Sequence, residues 1–211
     1  MIEKIKIFET EEAKLLLLNY GAALKILETE LRNLNDEFMI IYKHNPVEHI
    51  KSRIKTPESI IKKLNKKGYE ITLDNMKNHV SDIAGIRIVC SFLPDIYQIV
   101  DIIKKSNSIK ILEEKDYIKN PKTSGYSSYH LIVEVPVSLS DGTKYVKVEI
   151  QIRTIAIDFW ASLEHKIQYK FPGTIPEEVE QALLNNAKII NNLDKQMSEL
   201  NDTVKNYKTT S

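Results

Sequence analysis

Cysteine, tryptophan and glycine are scarce in this chain: one, one and six of 211 residues. A lone thiol, Cys90, cannot close an internal disulfide, so no covalent staple holds the fold. It sits in the apolar run Ile-Arg-Ile-Val-Cys-Ser-Phe and reads as a buried structural thiol rather than a nucleophile. No apolar run approaches the ~20 residues that span a bilayer, and the first residues lack the apolar stretch of a secretory signal. A cytoplasmic protein without membrane contact is the expectation. An excess of one charge is also missing. Lys and Arg total 30 against 29 Asp and Glu, a net charge of +1. No global field draws this chain to nucleic acid or membrane, so any anion site must be local. There is no Gly-x-x-x-x-Gly-Lys-Ser/Thr loop, no Gly-x-Gly-x-x-Gly fingerprint and no His-Glu-x-x-His pair, which leaves P-loop, dinucleotide and zinc-protease readings unsupported. No histidine is followed by aspartate, so a His-Asp phosphohydrolase centre is not visible.

What is present suits one soluble globular domain: 42% hydrophobic and 28% charged residues, in a chain long enough to bury about 70% of its unfolded surface. Residues 10–44 read as one long helix. Leu17, Leu24, Leu31 and Phe38 recur at seven, and Tyr20, Leu27, Leu34 and Ile41 recur three positions on, up to Asn45-Pro46. A second long helix opens at Pro176-Glu177-Glu178. Its seam is Leu183, Ile190, Met197 and Val204 with Leu193, Leu200 and Tyr207. Each seam either packs on its own domain or makes a subunit interface, and their length favours an oligomer. Between them, residues 57–67 read as a helix capped by Thr56. Strands are expected at 83–92, 109–117, 129–137 and 144–152, and helices at 94–105 and 154–170, the last running up to Phe171-Pro172-Gly173. Asp141-Gly142 marks a hairpin, and residues 120–127 are a polar loop. The expected class is α+β, a mixed sheet of about five strands flanked by helices.

Chemistry gathers in five segments. From Ile50 to Lys67, seven cations face the single acid Glu58. Ser59, Lys62, Lys63 and Lys66 share a helix face, while Arg53 and Lys55 lie on the entering segment. Such a cluster suits a polyphosphate, or is simply a solvated face. In Asp82-Ile-Ala-Gly-Ile-Arg87, an acid precedes a strand, and Arg87 projects from apolar surroundings where a charge needs a partner. Along 144–153, alternation puts Val146, Val148, Ile150 and Ile152 on one face and Lys147, Glu149, Gln151 and Arg153 on the other. If Glu149 lies near Asp82, the two carboxylates can hold Mg²⁺, a hard ion that prefers oxygen. Tyr126, in the loop Lys122-Thr-Ser-Gly-Tyr-Ser-Ser-Tyr-His130, either stacks on a base or folds onto the core. In the 158–170 segment, Trp160, Leu163 and Ile167 read as a core face, and His165 as structural.

Four stretches, SRIKTPESIIKKL, DIAGIRIVCSF, KDYIKNPKTSGYSSYHLIV and VEIQIRTIAIDFWASLEHKIQYK, together resemble the synthetase domain of the RelA/SpoT-like family, and more narrowly a stand-alone small alarmone synthetase. They cover roughly residues 50–170 in family order. The resemblance implies a nucleotidyltransferase-like fold and transfer of the β,γ-diphosphate of ATP to the 3′-hydroxyl of GTP or GDP. It implies Arg53, Lys55, Ser59, Lys63 and Arg87 on ATP; Asp82 and Glu149 on Mg²⁺, with Glu149 also the general base; and Lys122, Tyr126, His130 and Gln151 around the acceptor. Lys62 stands where the family commonly has arginine, keeping the charge but losing the planar fork. The whole chain is expected to form one synthetase domain, with an N-terminal helix over 1–45, a catalytic core over 46–173 and a C-terminal helix over 174–211. A homotetramer is implied, and an allosteric alarmone or an RNA is a possible further partner. Competing readings are an RNA-binding module built on the 50–67 cluster, a nucleotidyltransferase releasing pyrophosphate, and a scaffold with a dead site.

Overall fold

In the computed structural model, residues 5–42, 44–171 and 175–209 are described. Pro172 and Gly173 lie outside them. The elements run α1 (Glu11–Tyr42), β1 (Val47–Ile54), α2 (Pro57–Lys66), α3 (Leu73–His79), β2 (Ala84–Cys90), α4 (Leu93–Lys105), β3 (Lys110–Asp116), β4 (Tyr129–Leu139), β5 (Gly142–Thr154), α5 (Ile155–Lys170) and α6 (Glu177–Thr209). A single five-stranded sheet has the order β1-β2-β5-β4-β3. β2 and β5 pair in parallel, and the other neighbours are antiparallel. The expected α+β class and mixed sheet are what the chain adopts.

Local chemistry explains most boundaries. Thr56 caps α2 by accepting from Ser59 N–H, with Pro57 in the first turn, where its missing N–H costs nothing. Thr154 ends β5 and caps α5 by accepting from Ile157 N–H. The β4–β5 hairpin turns through Ser140-Asp141, with Leu139 opposite Gly142 at φ +113°. The turn thus sits one residue earlier than Asp141-Gly142.

Two elements were not foreseen. β1 carries Val-Glu-His-Ile-Lys-Ser-Arg-Ile, mostly exposed and without apolar alternation, because it is an edge strand. α3 is only seven residues long, too short for a helical period to register.

The alternating face of β5 is the centre of the core. Val148, Ile150 and Ile152 are fully buried and join Leu131, Val133 and Val135 of β4. Tyr20, Leu24, Leu27 and Leu31 of α1 pack into the same cluster, so the first half of that seam serves its own domain. Ile41, at the end of α1, is 59% exposed. On α6 the apolar seam faces inward only at its start, where Leu183 is buried and Ile190 packs on the Trp160 cluster; farther on, the buried stripe departs from it. Leu183, Ala187, Asp194 and Ser198 face inward, while Leu193, Met197, Leu200, Val204 and Tyr207 are exposed. Leu163 of α5, expected in the core, is exposed as well. Trp160 is buried as expected and donates its indole N–H to the Leu183 carbonyl at 3.1 Å, tying α5 to α6.

Gly125 fixes the loop before β4. It has φ +85°, and an added Cβ would lie 2.5 Å from the Ala187 Cβ and 3.2 Å from Leu184 Cδ1. Its N–H donates to the Lys122 carbonyl, closing the turn that precedes Tyr126. Gly125→Ala is expected to cost at least the roughly 1–2 kcal/mol of a left-handed non-glycine residue, with the clash against α6 added. Equilibrium denaturation checks this. Unchanged stability would show that the loop stands off α6 in solution.

Candidate active site

Two successive rungs of the sheet, on its polar face, build the site. Register aligns Lys51, Arg87, Gln151, His130 and Lys115 across all five strands. One rung over, Arg53, Gly85 and Glu149 stand side by side. Gly85 contributes no side chain, which leaves room between Arg53 and Glu149. A cavity of about 240 Å³ opens there, and its walls include Lys51, Arg53, Asp82, Arg87, Glu149 and Gln151. The two acids singled out from the sequence therefore share one pocket with three of its cations.

Asp82, just before β2, is held by two ammonium groups. Lys55 Nζ donates to Oδ2 at 2.7 Å, and Lys63 Nζ lies 2.8 Å from Oδ1. Burial pushes the Asp82 carboxyl up, but the hydrogen bonds and charges of Lys55 and Lys63 outweigh it and hold the group below its ordinary value. Glu149 follows the same logic with weaker partners. Burial raises it. The His130 ring at 3.3 Å and the Gln151 amide, donating at 2.7 Å, bring it below the usual glutamate range against the opposing charge of Asp82. Both acids are ionised at neutral pH.

A chain of polar contacts continues away from Glu149: His130 Nδ1 lies 3.3 Å from its Oε1, and His130 Nε2 is hydrogen-bonded with the Tyr126 hydroxyl, 2.9 Å away. The Tyr126 oxygen in turn accepts from Arg153 Nη2 at 2.7 Å. Tyr126 also packs on the α5–α6 cluster around Trp160, so part of its ring rests on the core, the second of the two readings of that loop. Lys122 Nζ lies 4.9 Å from the Tyr126 ring centroid and 4.8 Å from that of Tyr117. Arg87 pairs with Asp158 at 3.1 Å, and its Nε is buried without a partner. Burial, and then the nearby Arg153 charge, lower the Arg87 pKa.

Of the ATP-side candidates, Arg53 and Arg87 line the cavity, and Lys55 and Lys63 meet it only through Asp82. Ser59 stands apart, exposed at the start of α2 with its hydroxyl accepting from Thr56 Oγ1. Of the acceptor candidates, Gln151 lines the cavity, and Lys122, Tyr126 and His130 lie off its walls. Lys51, Tyr117, Asp158 and Arg153 were not singled out as site residues beforehand. The alternating face of β5 already contained Arg153, and only its neighbours received roles. Lys51 lies two residues from Arg53, the strand spacing that puts both on one face, but a strand there was not recognised. Asp158 and Tyr117 carried no signal without the contacts they make.

The sequence pattern described as "Region found in RelA / SpoT proteins" matches residues 52–174. The chain is 50% identical over 187 residues to the GTP pyrophosphokinase YwaC of Bacillus subtilis, covering 89% of each protein. Its fold superposes on the small alarmone synthetase 1 of Bacillus subtilis bound to its product pppGpp. The TM-score is 0.85 at 35% identity, over 92% of this chain and 99% of that one. The same enzyme bound to AMPCPP gives a TM-score of 0.78 at 31% identity, over 93% and 100% of the two chains. More than half of the sequence lies within the matched region, and apart from Lys51 the polar rungs of the sheet fall inside it: the chain belongs to the RelA/SpoT family.

Proposed function

We propose that the protein is a GTP/GDP diphosphokinase that makes (p)ppGpp from ATP and a guanine nucleotide. The observation that carries this reading is the single pocket shared by Asp82, Glu149 and a ring of cations, with Tyr126 linked to Glu149 through His130. ATP lies with its phosphates toward Arg53, Lys55, Lys63 and Arg87. The last of these has an unpartnered buried Nε to offer. GTP or GDP lies toward Lys122, Tyr126, His130 and Gln151, its base against the Tyr126 ring. The 3′-hydroxyl oxygen attacks the β-phosphorus, the bond from that phosphorus to the α,β-bridging oxygen breaks, and AMP leaves. Glu149 takes the hydroxyl proton. Most of the rate comes from alignment and from cations placed where charge develops.

Asp82 and Glu149 fit a Mg²⁺ ion. Both are anionic oxygen donors on the wall of one cavity, the donor chemistry a hard divalent cation prefers. Among the described residues, no group of three or more His, Cys, Asp or Glu side chains is placed to hold a metal. Most of the ion's ligands would therefore be nucleotide phosphates and water. When bound, Mg²⁺ neutralises the phosphate charge that the lysines alone would have to offset. Lys55 and Lys63 lie on Asp82 and leave it as the nucleotide enters.

The whole chain acts as one synthetase domain within a homotetramer. The apolar seam that α6 turns outward, Leu193, Met197, Leu200 and Val204, supports assembly, because a face this long is costly in water. Two lysines of the 50–67 cluster are committed to Asp82, which disfavours that cluster as an RNA-binding surface. Among the described residues, no helix is long and apolar enough to cross a membrane.

Incubation with ATP, Mg²⁺ and GTP, GDP or GMP, followed by nucleotide chromatography, tests the reading. AMP and a 3′-diphosphorylated guanine nucleotide are expected. Pyrophosphate release in place of AMP would make the protein a nucleotidyltransferase instead. Glu149→Gln should keep fold and nucleotide binding and lose turnover by about 10²-fold or more. Ordinary turnover would remove Glu149 as the base. Tyr126→Ala should weaken acceptor binding by roughly 1–3 kcal/mol, seen in the acceptor KM. An unmoved KM would argue against stacking. A Cβ at Gly85 meets nothing closer than the Glu149 carbonyl at 3.9 Å, so Gly85→Ala should fold normally. Gly85→Leu should also fold, yet its larger side chain would project into the ATP cavity and abolish AMPCPP binding by calorimetry. Normal binding would move ATP out of that cavity.

A further inference from the structure

Arg153 has no part in the transfer as proposed, yet it is bonded on every side. Its side chain is 5% exposed. Nε donates to Ser128 Oγ at 3.4 Å and Nη1 to Asp158 Oδ1 at 3.1 Å. Nη2 donates both to the Tyr126 hydroxyl at 2.7 Å and to Gln151 Oε1 at 2.9 Å. Its Cζ lies 5.2 Å from the Tyr126 ring centroid. Two of the bonds end on side chains given to the acceptor. The planar fork holds its donors in a fixed relation, so it sets the ring and the amide relative to each other.

The charge balance points the same way. Asp158 Oδ1 is shared: Arg87 Nη1 and Arg153 Nη1 both reach it at 3.1 Å. Two guanidiniums thus lean on one carboxylate oxygen, and Arg87 belongs to the opposite, ATP side of the site. An anion arriving at Arg87 competes for that cation and leaves Asp158 more fully to Arg153. The two subsites therefore share one carboxylate.

We propose that Arg153 is the positioning residue of the acceptor subsite, setting the Tyr126 ring and the Gln151 amide, and that Asp158 ties this setting to Arg87. The proposal rests on the acceptor assignment of Tyr126 and Gln151. It predicts a split in kinetic constants that a general loss of stability would not give. In assays that follow AMP, Arg153→Met should raise the acceptor KM about 10-fold or more while moving the ATP KM less than about twofold. Arg153→Lys keeps the charge without the fork and should fall between wild type and Arg153→Met. Arg153→Met and Tyr126→Phe remove the same contact, so their combined effect should be smaller than the product of the single effects. Asp158→Asn should raise both KM values.

Equal shifts of both KM values in Arg153→Met, or independent multiplication with Tyr126→Phe, would overturn the positioning role. An unmoved ATP KM in Asp158→Asn would overturn the link to Arg87. If Arg153→Met does not fold, calorimetric GDP binding to Arg153→Lys and Tyr126→Phe decides: weakened binding in both upholds the role, and wild-type binding in either overturns it. Wild-type protein that binds GDP but releases no AMP would sink the transferase reading alone, and the same calorimetry would still judge Arg153.

Discussion

The parallel pairing of β2 with β5 is the constraint on which the site depends. It is the sheet's one parallel contact, flanked on both sides by antiparallel strands. Side chains alternate across a strand, so this register decides which polar groups stand together. Gly85 falls beside Glu149 and Arg87 beside Gln151. A slip by one residue would set Ile86 beside Glu149 and turn the polar row of one strand against the apolar row of the other. The fully buried Ile86, Ile88, Ile150 and Ile152 lock the register from the opposite face. The hydrophobic core and the geometry of the reacting groups are thus two faces of one ladder.

Burying this many charges is stable only because each has a partner. Asp82 takes Lys55 and Lys63, Asp158 takes Arg87 and Arg153, and Glu149 takes His130 and Gln151. Loss of one partner in such a pair leaves a desolvated charge and costs more than the pair contributes. In the proposed reaction the same cations have a second use: the lysines that pair with Asp82 would meet the phosphates that replace it. A pocket arranged in this way trades internal ion pairs for substrate contacts without having to bring bare charges in from water.

Much of this was legible in the sequence. Period-two alternation in 144–152 located the central strand and separated Glu149 and Gln151 from the core isoleucines. Thr56-Pro57 and Thr154 marked helix starts at residues where caps now form. Asp82 and Glu149 were paired on the condition that they lie close together, and by the family resemblance, and they line one cavity. What was not legible depends on neighbours far along the chain. β1 is held by main-chain bonds to β2 rather than by an apolar face, so its side chains carried no strand signal. Ser59 shares the helix face of Lys62, Lys63 and Lys66, and its hydroxyl accepts from Thr56 Oγ1 at the cap, a contact the sequence did not announce. Arg153 ends a row of polar residues, and only the Tyr126 loop folding back gives it partners.

The offset on α6 shows how a helix can be read correctly and its faces wrongly. The heptad seam there is real, but the side facing its own domain is Leu183, Ala187, Asp194 and Ser198, small or polar after the first turn. Small residues let the helix approach closely, and Ala187 sits against Gly125 at a distance that no larger pair would allow. Asp194 is the costly member. Burial raises its pKa, and the Thr154 hydroxyl, donating at 2.6 Å, partly offsets that. Thr154 is also the residue that ends β5 and caps α5, one position after Arg153. The C-terminal helix is therefore fastened at both ends of the acceptor side, at the loop before Tyr126 and at the strand end carrying Arg153. Its inner face is committed to the catalytic domain, which leaves the apolar outer seam as the surface on which a second copy of the chain can pack. On the proposed assignment, subunit contacts on that seam would bear on the same helix that packs against the Tyr126 loop and bonds Thr154, the neighbour of Arg153.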